Sequence, residues 1–429
     1  MLLGQALRIA PAGLQGLLTL NDRTEARTYA TIPGSPDYDV ETALGAGLSL
    51  NTRRTNYFIG YGARLAYLDI GQSYATLALM HLGRVGFGWA NARWTVGLSV
   101  DGSIGTQSTT LGAPFAFGGV GAGAAGPVAA PPPTPVAGAP AATANGQTPN
   151  APTPTYVPPP EKVYLGSVRG VANVGYAFSH RWSGGIAAGY GLSGGLDDAS
   201  KSALPPSRVL FASASATTAL NARERLGTSL ATSYVTVVPT QLAGTKQVAG
   251  GDFLSVVITE SWEHHFSLRT KGSVGLGVAF LRTLATADTR GETDVTGAGF
   301  MTLSHADTLG RASTVTYAGS ISVGTAYNQV LGAVQTQLSG GLIASWNYHL
   351  FTFAASVAGG SSLPLWASDA SRVMGGSLVA AYSPARLIAF QVGGRANAQT
   401  FPGYSIDYIY PPEWVAFVAV VLSAPALKL

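Results

Sequence analysis

The sequence contains no cysteine, which excludes a thiol nucleophile, so the catalytic arrangement to look for combines histidine, serine and a carboxylate. Of the six histidines, His81 lies well inside a predicted strand. Ser99 and Asp101 share one face of another predicted strand, but nothing in the sequence brings His81 to them. Nucleophilic catalysis needs all three groups within mutual reach. We therefore expect no catalytic residues and a protein that is not an enzyme.

The sequence gives no support for a metal or cofactor site either. His264 and His265 follow Glu263, which superficially suggests a metal site. Adjacent residues of a strand point to opposite faces of the sheet, so the two imidazoles cannot bind one ion without a turn. The lack of cysteine removes zinc–thiolate sites and iron–sulfur clusters. Because the glycines alternate with larger residues, they form no phosphate-binding loop. We expect no metal and no cofactor.

Charged residues on the predicted strands carry the functional signal. Six of them are predicted to fall on the face opposite the apolar residues and are our candidates for pore-lining residues: Arg64, Arg84, Asp101, Arg169, Arg208 and Arg395. A charge facing lipid at the bilayer midplane costs about 2–4 kcal/mol, so these side chains should face water or one another. Arginines that line a pore favour anions. The alternative is that they pair with carboxylates across a narrow or plugged lumen.

The elements that must position these residues alternate with a period of two. From Val40 to Thr52 the even positions are mainly apolar and the odd positions small or polar, and Tyr57 to Tyr67 repeats the pattern after a short turn. Such alternation is typical of strands with one apolar face. Counting these segments predicts sixteen strands from Val40 onward, with fourteen or eighteen as alternatives. Leu14–Leu20 and Ala285–Leu309 leave room for further strands.

Composition indicates what the apolar face meets. Only 11% of the 429 residues are charged and 46% are hydrophobic, so a soluble chain of this size could hardly cover its surface. The longest apolar run, Trp414–Leu422, is far shorter than the 18 to 20 residues of a spanning helix. An apolar chain without such helices crosses a bilayer as a closed β-barrel. We predict an all-β, antiparallel, up-and-down transmembrane barrel with long external loops, located in the bacterial outer membrane.

The sequence pattern divides the chain into two parts. Residues 1–39 form an N-terminal segment, either one strand or a periplasmic or lumenal stretch, and residues 40–429 form a single barrel domain. A Pro/Ala/Gly-rich loop at 107–161 interrupts the barrel, and its centre, Gly118–Pro160, is almost wholly Gly, Ala, Pro, Val and Thr. Proline without a backbone donor cannot join the sheet. The loop either constricts the pore, reaches a partner or serves as a solvated spacer.

Over nearly its whole length the chain resembles Gram-negative outer-membrane β-barrels of the porin-like kind. The segment Thr52-Arg53-Arg54-Thr55-Asn56-Tyr57, followed by the strand pair around Leu79–Leu98, resembles the barrels associated with exopolysaccharide and PEP-CTERM export systems. In those barrels a basic turn precedes an aromatic-rich strand, and a later strand ends in a turn before Trp. The resemblance implies a transmembrane barrel that serves the cell envelope.

These observations predict an outer-membrane channel or export pore that passes polar or anionic solutes through a water-filled lumen. The alternative is a non-conducting structural barrel that anchors or scaffolds a secretion, polysaccharide or surface assembly. The expected partners are membrane lipid and lipopolysaccharide, together with further copies of the chain or proteins of an envelope complex. A formal net charge of only +4 gives no reason to expect nucleic acid.

Overall fold

Alternation with a period of two produces strands throughout the part of the chain that the structure describes. The structure is a computed structural model. It describes residues 13–28, 36–52, 54–70, 76–108, 162–203, 206–238, 240–241, 247–248, 251–284, 291, 293–308, 313–328, 333–362, 372–385, 387–400, 409–423 and 427–428.

Eighteen long strands make up the sheet within these ranges. The first nine are β1 (Gly13–Thr28), β2 (Pro36–Asn51), β3 (Thr55–Ile70), β4 (Thr76–Ala90), β5 (Trp94–Ser108), β6 (Lys162–Ala177), β7 (Trp182–Gly195), β8 (Ser207–Ala219) and β9 (Glu224–Val237). The other nine are β12 (Gly251–His265), β13 (Thr270–Thr283), β14 (Thr293–Thr308), β15 (Ser313–Asn328), β16 (Ala333–Tyr348), β17 (Phe351–Ser362), β18 (Arg372–Ala385), β19 (Ile388–Thr400) and β20 (Ile409–Ser423).

Three short strands and one helix complete the described elements. Strands β10 (Thr240–Gln241) and β11 (Gln247–Val248) pair only with each other, and β21 (Leu427–Lys428) pairs with β1. The helix α1 (Asp198–Ala203) follows β7. Asp197 caps α1, because its carboxylate accepts the backbone N–H of Ser200 at 2.6 Å, and this hydrogen bond lowers the pKa of Asp197 below its usual range.

The sheet closes on itself. Each long strand runs antiparallel to the next, β9 continues directly into β12, and β1 pairs with both β2 and β20. The closing seam runs without interruption from Thr19 opposite Ser423 to Thr28 opposite Trp414. Closure gives every long strand two neighbours and leaves the sheet no open edge, which is the condition for a sheet to cross a bilayer.

The eighteen long strands match the higher of the two alternatives to the predicted sixteen. All sixteen predicted segments are strands, and the two additional ones, β1 and β14, cover Leu14–Leu20 and most of Ala285–Leu309, the stretches that left room for them. The barrel also begins before residue 40, because β1 lies within the N-terminal segment. Residues 109–161 lie outside the described residues, so the role of the Pro/Ala/Gly-rich loop stays a prediction.

The outer face of the barrel is apolar. On β3 the odd positions Tyr57, Ile59 and Leu65 are exposed, whereas the even positions Gly60 and Ala66 are buried. The same alternation exposes large apolar residues on the other strands, including Leu44, Leu48, Leu77, Val85, Leu98, Ile186, Tyr190, Leu276, Met301, Ile321, Leu342, Leu378, Val392 and Val418. Exposed apolar area of this extent is favourable in lipid and costs about 25 cal/mol per Å² in water. No helix in the described ranges is long and apolar enough to span a membrane.

The two ends of the barrel differ in the length of their connections. At one end the long strands are joined by two to four residues, as between β2 and β3, whereas at the other end the connections reach 53 residues between β5 and β6. Short turns mark the periplasmic end of outer-membrane barrels. Aromatic side chains cluster beside these turns, with ring centroids 4.4 Å apart for Trp94 and Tyr176 and 5.0 Å apart for Phe351 and Tyr382. They form the girdle expected at a membrane interface.

Four phenylalanines on the inner face each lie over a glycine of the adjacent strand. The directly opposed pairs are Phe58 with Gly86, Phe211 with Gly189, Phe300 with Gly275, and Phe417 with Gly393. A Cβ atom built on any of these glycines would collide with the facing ring. The ring therefore packs flat against the wall, and a large residue is accommodated on the inner face without filling the lumen.

Gly189→Val tests this packing. The added side chain would meet the Phe211 ring and also the backbone oxygen of Gly170, which cannot move aside. Overpacking of this kind lowers the free energy of unfolding by about 1–3 kcal/mol. Urea-induced unfolding of the barrel in detergent measures the loss.

Gly324→Val is the matched control, because position 324 lies on the inner face and a Cβ there meets no heavy atom within 4 Å. Valine favours strands, so we expect the control to be neutral or stabilising. Equal losses in both variants would contradict the packing account.

Candidate functional site

Five of the six predicted pore-lining residues lie on the inner face. Arg64 is opposite the buried residues Ala43 and Met80, and Arg395 is opposite Ser377 and the buried Val415. Arg84, Asp101 and Arg169 occupy neighbouring positions on three adjacent strands. The structure thus places these five side chains on the lumen side of the wall, while their role in solute passage stays a prediction.

The structure corrects the prediction for Arg208, which lies on the outer face and not on the lumen side. Its cross-strand partner is the lipid-facing Leu192, and Leu210, two residues further along β8, is 55% exposed on the same side. The inner face of β8 carries the buried residues Ser207 and Phe211. The sequence pattern misled because β8 continues with small residues on both faces, and because its bulkiest residue, Phe211, points inward. Arg208 is the second residue of β8, near the barrel rim, where a charge on the outer face costs less than at the midplane.

Arg84, Asp101 and Arg169 form one cluster across β4, β5 and β6. The strand register places Asp101 directly opposite Arg84 on one side and directly opposite Arg169 on the other. Directly opposed residues have Cβ atoms about 4.5–5.5 Å apart. The two guanidinium groups attract the Asp101 carboxylate from both sides. The cluster therefore carries a net charge of +1 on the lumen wall.

Aromatic rings hold the two arginines of this cluster in place. The guanidinium carbon of Arg84 lies 5.2 Å from the centroid of the Phe58 ring, and that of Arg169 lies 5.1 Å from the centroid of the Phe211 ring. Both distances are within the range of cation–π attraction. Phe58 and Phe211 are two of the rings that lie over glycines, so the packing of the wall fixes the positions of the arginine charges.

Hydroxyl groups recur on the inner face of many strands and bond to one another across the strands. Ser103 and Ser167 share a hydrogen bond of 2.7 Å, and Ser193 and Ser207 one of 3.0 Å, in a single row over β5 to β8. Six further pairs on the inner face are bonded in the same way: Ser183 with Thr217, Ser229 with Thr259, Ser273 with Thr302, Thr316 with Ser345, Ser322 with Ser339, and Ser356 with Ser377. Along these rows the inner face is polar and uncharged, and its side chains are small.

Apolar residues occupy a separate part of the inner face. Val235, Val237 and Phe253 form a buried cluster against Val209 on β8, β9 and β12. On β20 the inward positions are the buried Val415, Phe417, Ala419 and Val421. The inner face is therefore polar and basic around β4–β8. Its apolar residues lie on β20 and in the cluster formed by β8, β9 and β12.

The histidines do not form a site in the structure. His81 lies on the outer face, where its Nδ1 is 2.6 Å from the hydroxyl oxygen of Tyr61, whereas Ser99 and Asp101 belong to the inner face. The sheet separates them, so these three residues cannot act together. No group of three or more potential metal-ligating side chains occurs within the described residues.

His264 and His265 have separate partners on opposite faces. His264 Nδ1 is 3.4 Å from a carboxylate oxygen of Glu224, and His265 Nε2 is 2.9 Å from one of Glu263. This agrees with the alternation argument, since neither imidazole is directed towards the other. An enzyme or metal centre gains no support from these residues.

Two features of the wall do not follow from the sequence pattern: the paired hydroxyls and the stacking of arginine on phenylalanine. Single serines and threonines at every second position were visible in the sequence. Their pairing depends on the register between strands, as with Ser103 and Ser167, which are 64 residues apart. The register of the strands on either side of a 53-residue connection cannot be deduced from alternation alone.

The closed antiparallel sheet, its lipid-facing apolar surface, its aromatic girdle and its polar inner wall define a transmembrane β-barrel, and the protein is located in the bacterial outer membrane. Within this class the chain belongs to the EpsX exopolysaccharide export family, whose model matches residues 20–402. The match bears out the resemblance to exopolysaccharide-associated barrels. No curated protein matches the chain.

Solved porins are similar over almost the full chain but at low identity. OprD of Pseudomonas aeruginosa is 11% identical with a TM-score of 0.41, the alignment covering 98% of this chain and 97% of OprD. OccAB4 of Acinetobacter baumannii is 8% identical with a TM-score of 0.44, covering 96% and 98%. A BenF-like porin of Pseudomonas fluorescens Pf-5 is 10% identical with a TM-score of 0.43, covering 96% and 99%. At these values the matches say nothing about what the chain transports.

Asp101→Asn tests the charge cluster. The substitution removes the attraction to Arg84 and Arg169 together with the larger cost of burying the carboxylate, so we expect the free energy of unfolding at low salt to stay equal or rise by less than about 1 kcal/mol. Relative to the wild type, the variant should become more stable when ionic strength rises from about 0.05 to 0.5 M, because salt screens the attraction to Asp101 in the wild type and the repulsion between the guanidinium groups in the variant. Urea unfolding at both salt concentrations measures the difference.

Asp294→Asn provides the control, since Asp294 lies on the inner face near a strand end and is opposite Leu281 rather than an arginine. It should change stability little at either salt concentration. A stability difference between Asp101→Asn and the wild type that does not change with salt would contradict electrostatic attraction within the cluster.

Proposed function

We propose that the barrel is a water-filled export pore through which a polar or acidic polysaccharide crosses the outer membrane. The observation that carries this proposal is the inner wall, where mutually bonded hydroxyls and small residues surround arginines held on aromatic rings. Barrels of sixteen to eighteen strands are wide enough to leave an aqueous channel. Membership of an exopolysaccharide export family supports this choice of solute.

The paired hydroxyls suit passage of a sugar polymer. Ser103 and Ser167, or Ser322 and Ser339, satisfy each other within the wall. Each pair can exchange a hydrogen bond with a passing sugar hydroxyl at little net cost, because hydrogen bonds exchanged with water contribute only about 0.5–1.5 kcal/mol. Such a wall binds a chain of hydroxyl groups weakly at many places, which permits the chain to slide.

The inner-face charges favour anions. Arg64, Arg84, Arg169 and Arg395 face inward with Asp101, so the predicted pore-lining set carries more positive than negative charge once Arg208 is removed from it. Rings of fixed positive charge select anions in pores. Carboxylate-bearing or phosphate-bearing polysaccharides would therefore be favoured over neutral ones.

Single-channel recording in planar bilayers tests the pore. We expect conductance steps of reproducible size and a reversal potential in a salt gradient that indicates an anion preference. Arg84→Gln with Arg169→Gln should reduce that preference. A unit charge about 7 Å from an ion in water contributes about 0.6 kcal/mol, so each arginine accounts for roughly a threefold change in permeability ratio.

Arg208→Gln is the matched control, because the same charge is removed from the outer face, where it should leave the permeability ratio unchanged. Oligogalacturonate should block the current at lower concentration than neutral dextran of equal length. A barrel that inserts but never conducts, and that co-purifies with envelope proteins, would favour the structural scaffold over the pore.

A further inference from the structure

Five periplasmic turns carry an arginine at the same position, and we call Arg54, Arg93, Arg181, Arg223 and Arg269 the arginine arc. They occupy the β2–β3, β4–β5, β6–β7, β8–β9 and β12–β13 connections, which follow one another around one side of the barrel. The corresponding β16–β17 turn carries His349 and Leu350 instead. The short β14–β15 and β18–β19 connections also contain an arginine, Arg311 and Arg386, which lie outside the described residues.

The same turn geometry presents each arginine of the arc. The backbone N–H of the arginine donates to the side-chain oxygen two residues earlier, for example Arg93 to Asn91 at 2.8 Å and Arg223 to Asn221 at 2.7 Å. Thr52, Ser179 and Ser267 accept the N–H of Arg54, Arg181 and Arg269 in the same way. These Asx and Ser/Thr turns fix the backbone of each arginine and leave its side chain outside the sheet.

Most of the arc has no carboxylate partner within the described residues. Arg269 forms an ion pair with Asp307, but no such pair holds Arg93, Arg181 or Arg223. The carboxylates nearest in the strand ends are already engaged: Glu224 by Asn221 and His264, and Glu263 by Arg225 and His265. The arc thus presents guanidinium groups that are available to a ligand.

Apolar side chains in the same turns indicate where the ligand lies. Phe178, Phe266 and Leu268 are 65%, 57% and 107% exposed, and Leu220, in the same turn as Arg223, is exposed as well. Trp94 and Trp182, which belong to the aromatic girdle, directly follow Arg93 and Arg181. Exposed apolar groups beside guanidinium groups suit a membrane interface, where the apolar parts enter lipid and the charges stay at headgroup level.

We propose that the arginine arc binds the phosphates of anionic phospholipids in the periplasmic leaflet of the outer membrane. Guanidinium groups bind phosphate in a bidentate geometry, and basic residues at a bilayer surface are attracted to anionic lipid. Because the arc follows five consecutive periplasmic turns, it holds anionic lipid along that stretch of the rim. A polysaccharide in the aqueous periplasm would gain nothing from the adjacent phenylalanine and leucine side chains.

Native mass spectrometry of the full chain, equilibrated in detergent with equal amounts of phosphatidylglycerol and phosphatidylethanolamine, tests the proposal. We expect the wild type to retain phosphatidylglycerol preferentially. The triple variant R93Q/R181Q/R223Q should lose about tenfold or more of that preference. R208Q/R282Q, which removes two arginines from the outer surface near the opposite rim, should keep it. Anion preference in bilayer recordings should be unchanged in the triple variant, which separates the arc from the pore.

A wild type without preference for phosphatidylglycerol, or a triple variant that retains the preference, would overturn the proposal. So would displacement of phosphatidylglycerol by oligogalacturonate, since that result would assign the arc to the polymer. If the triple variant does not fold, the wild type alone decides: 0.5 M salt should weaken the phosphatidylglycerol preference, and a preference insensitive to salt is incompatible with guanidinium–phosphate binding.

Discussion

The structure depends on one constraint, which is that every backbone N–H and C=O group at membrane depth must find a partner within the protein. Lipid offers no hydrogen bonds, so an open sheet edge would leave a row of unsatisfied groups that cost several kcal/mol each. Pairing of β1 with β20 removes that edge. The need for closure explains why two segments with an indistinct sequence pattern, β1 and β14, are nevertheless strands. A missing strand would bring two strands of the same direction side by side.

Closure also sets what the inner face can carry. Side chains on a closed wall converge, so a large residue needs a small one opposite it, as Phe58 has in Gly86 and Phe211 in Gly189. The high glycine content, 55 of 429 residues, is partly explained by this pairing. The same rings then support Arg84 and Arg169. The same phenylalanine rings therefore pack against the wall and position its charges, so replacing one of the facing glycines would alter both.

The sequence predicted the fold class because alternation and composition are local properties. It also placed Arg64, Arg84, Asp101, Arg169 and Arg395 on the correct face, since their strands have large apolar residues on the other face. It misplaced Arg208 because β8 is rich in alanine and serine on both faces, so local pattern there did not distinguish lipid from lumen. The cluster of Asp101 with Arg169 was beyond prediction, because these residues are 68 positions apart and only the register joins them.

The two sets of arginines differ in how they are held, and this difference suits them to different ligands. Arg84 and Arg169 are attracted to Asp101 and stacked on aromatic rings, so their positions are fixed. Their positive charges attract a nearby anion electrostatically but do not bind it tightly. Transport requires such weak binding, because a solute that is held tightly cannot leave. The guanidinium groups of Arg93, Arg181 and Arg223 have no carboxylate partner in the described part of the chain, and these residues lie on turns with exposed apolar neighbours. Free guanidinium groups can bind a phosphate in bidentate geometry, which suits retention rather than passage. Under the two proposals, one residue type would serve the lumen when its charge is partly compensated and the lipid interface when it is not.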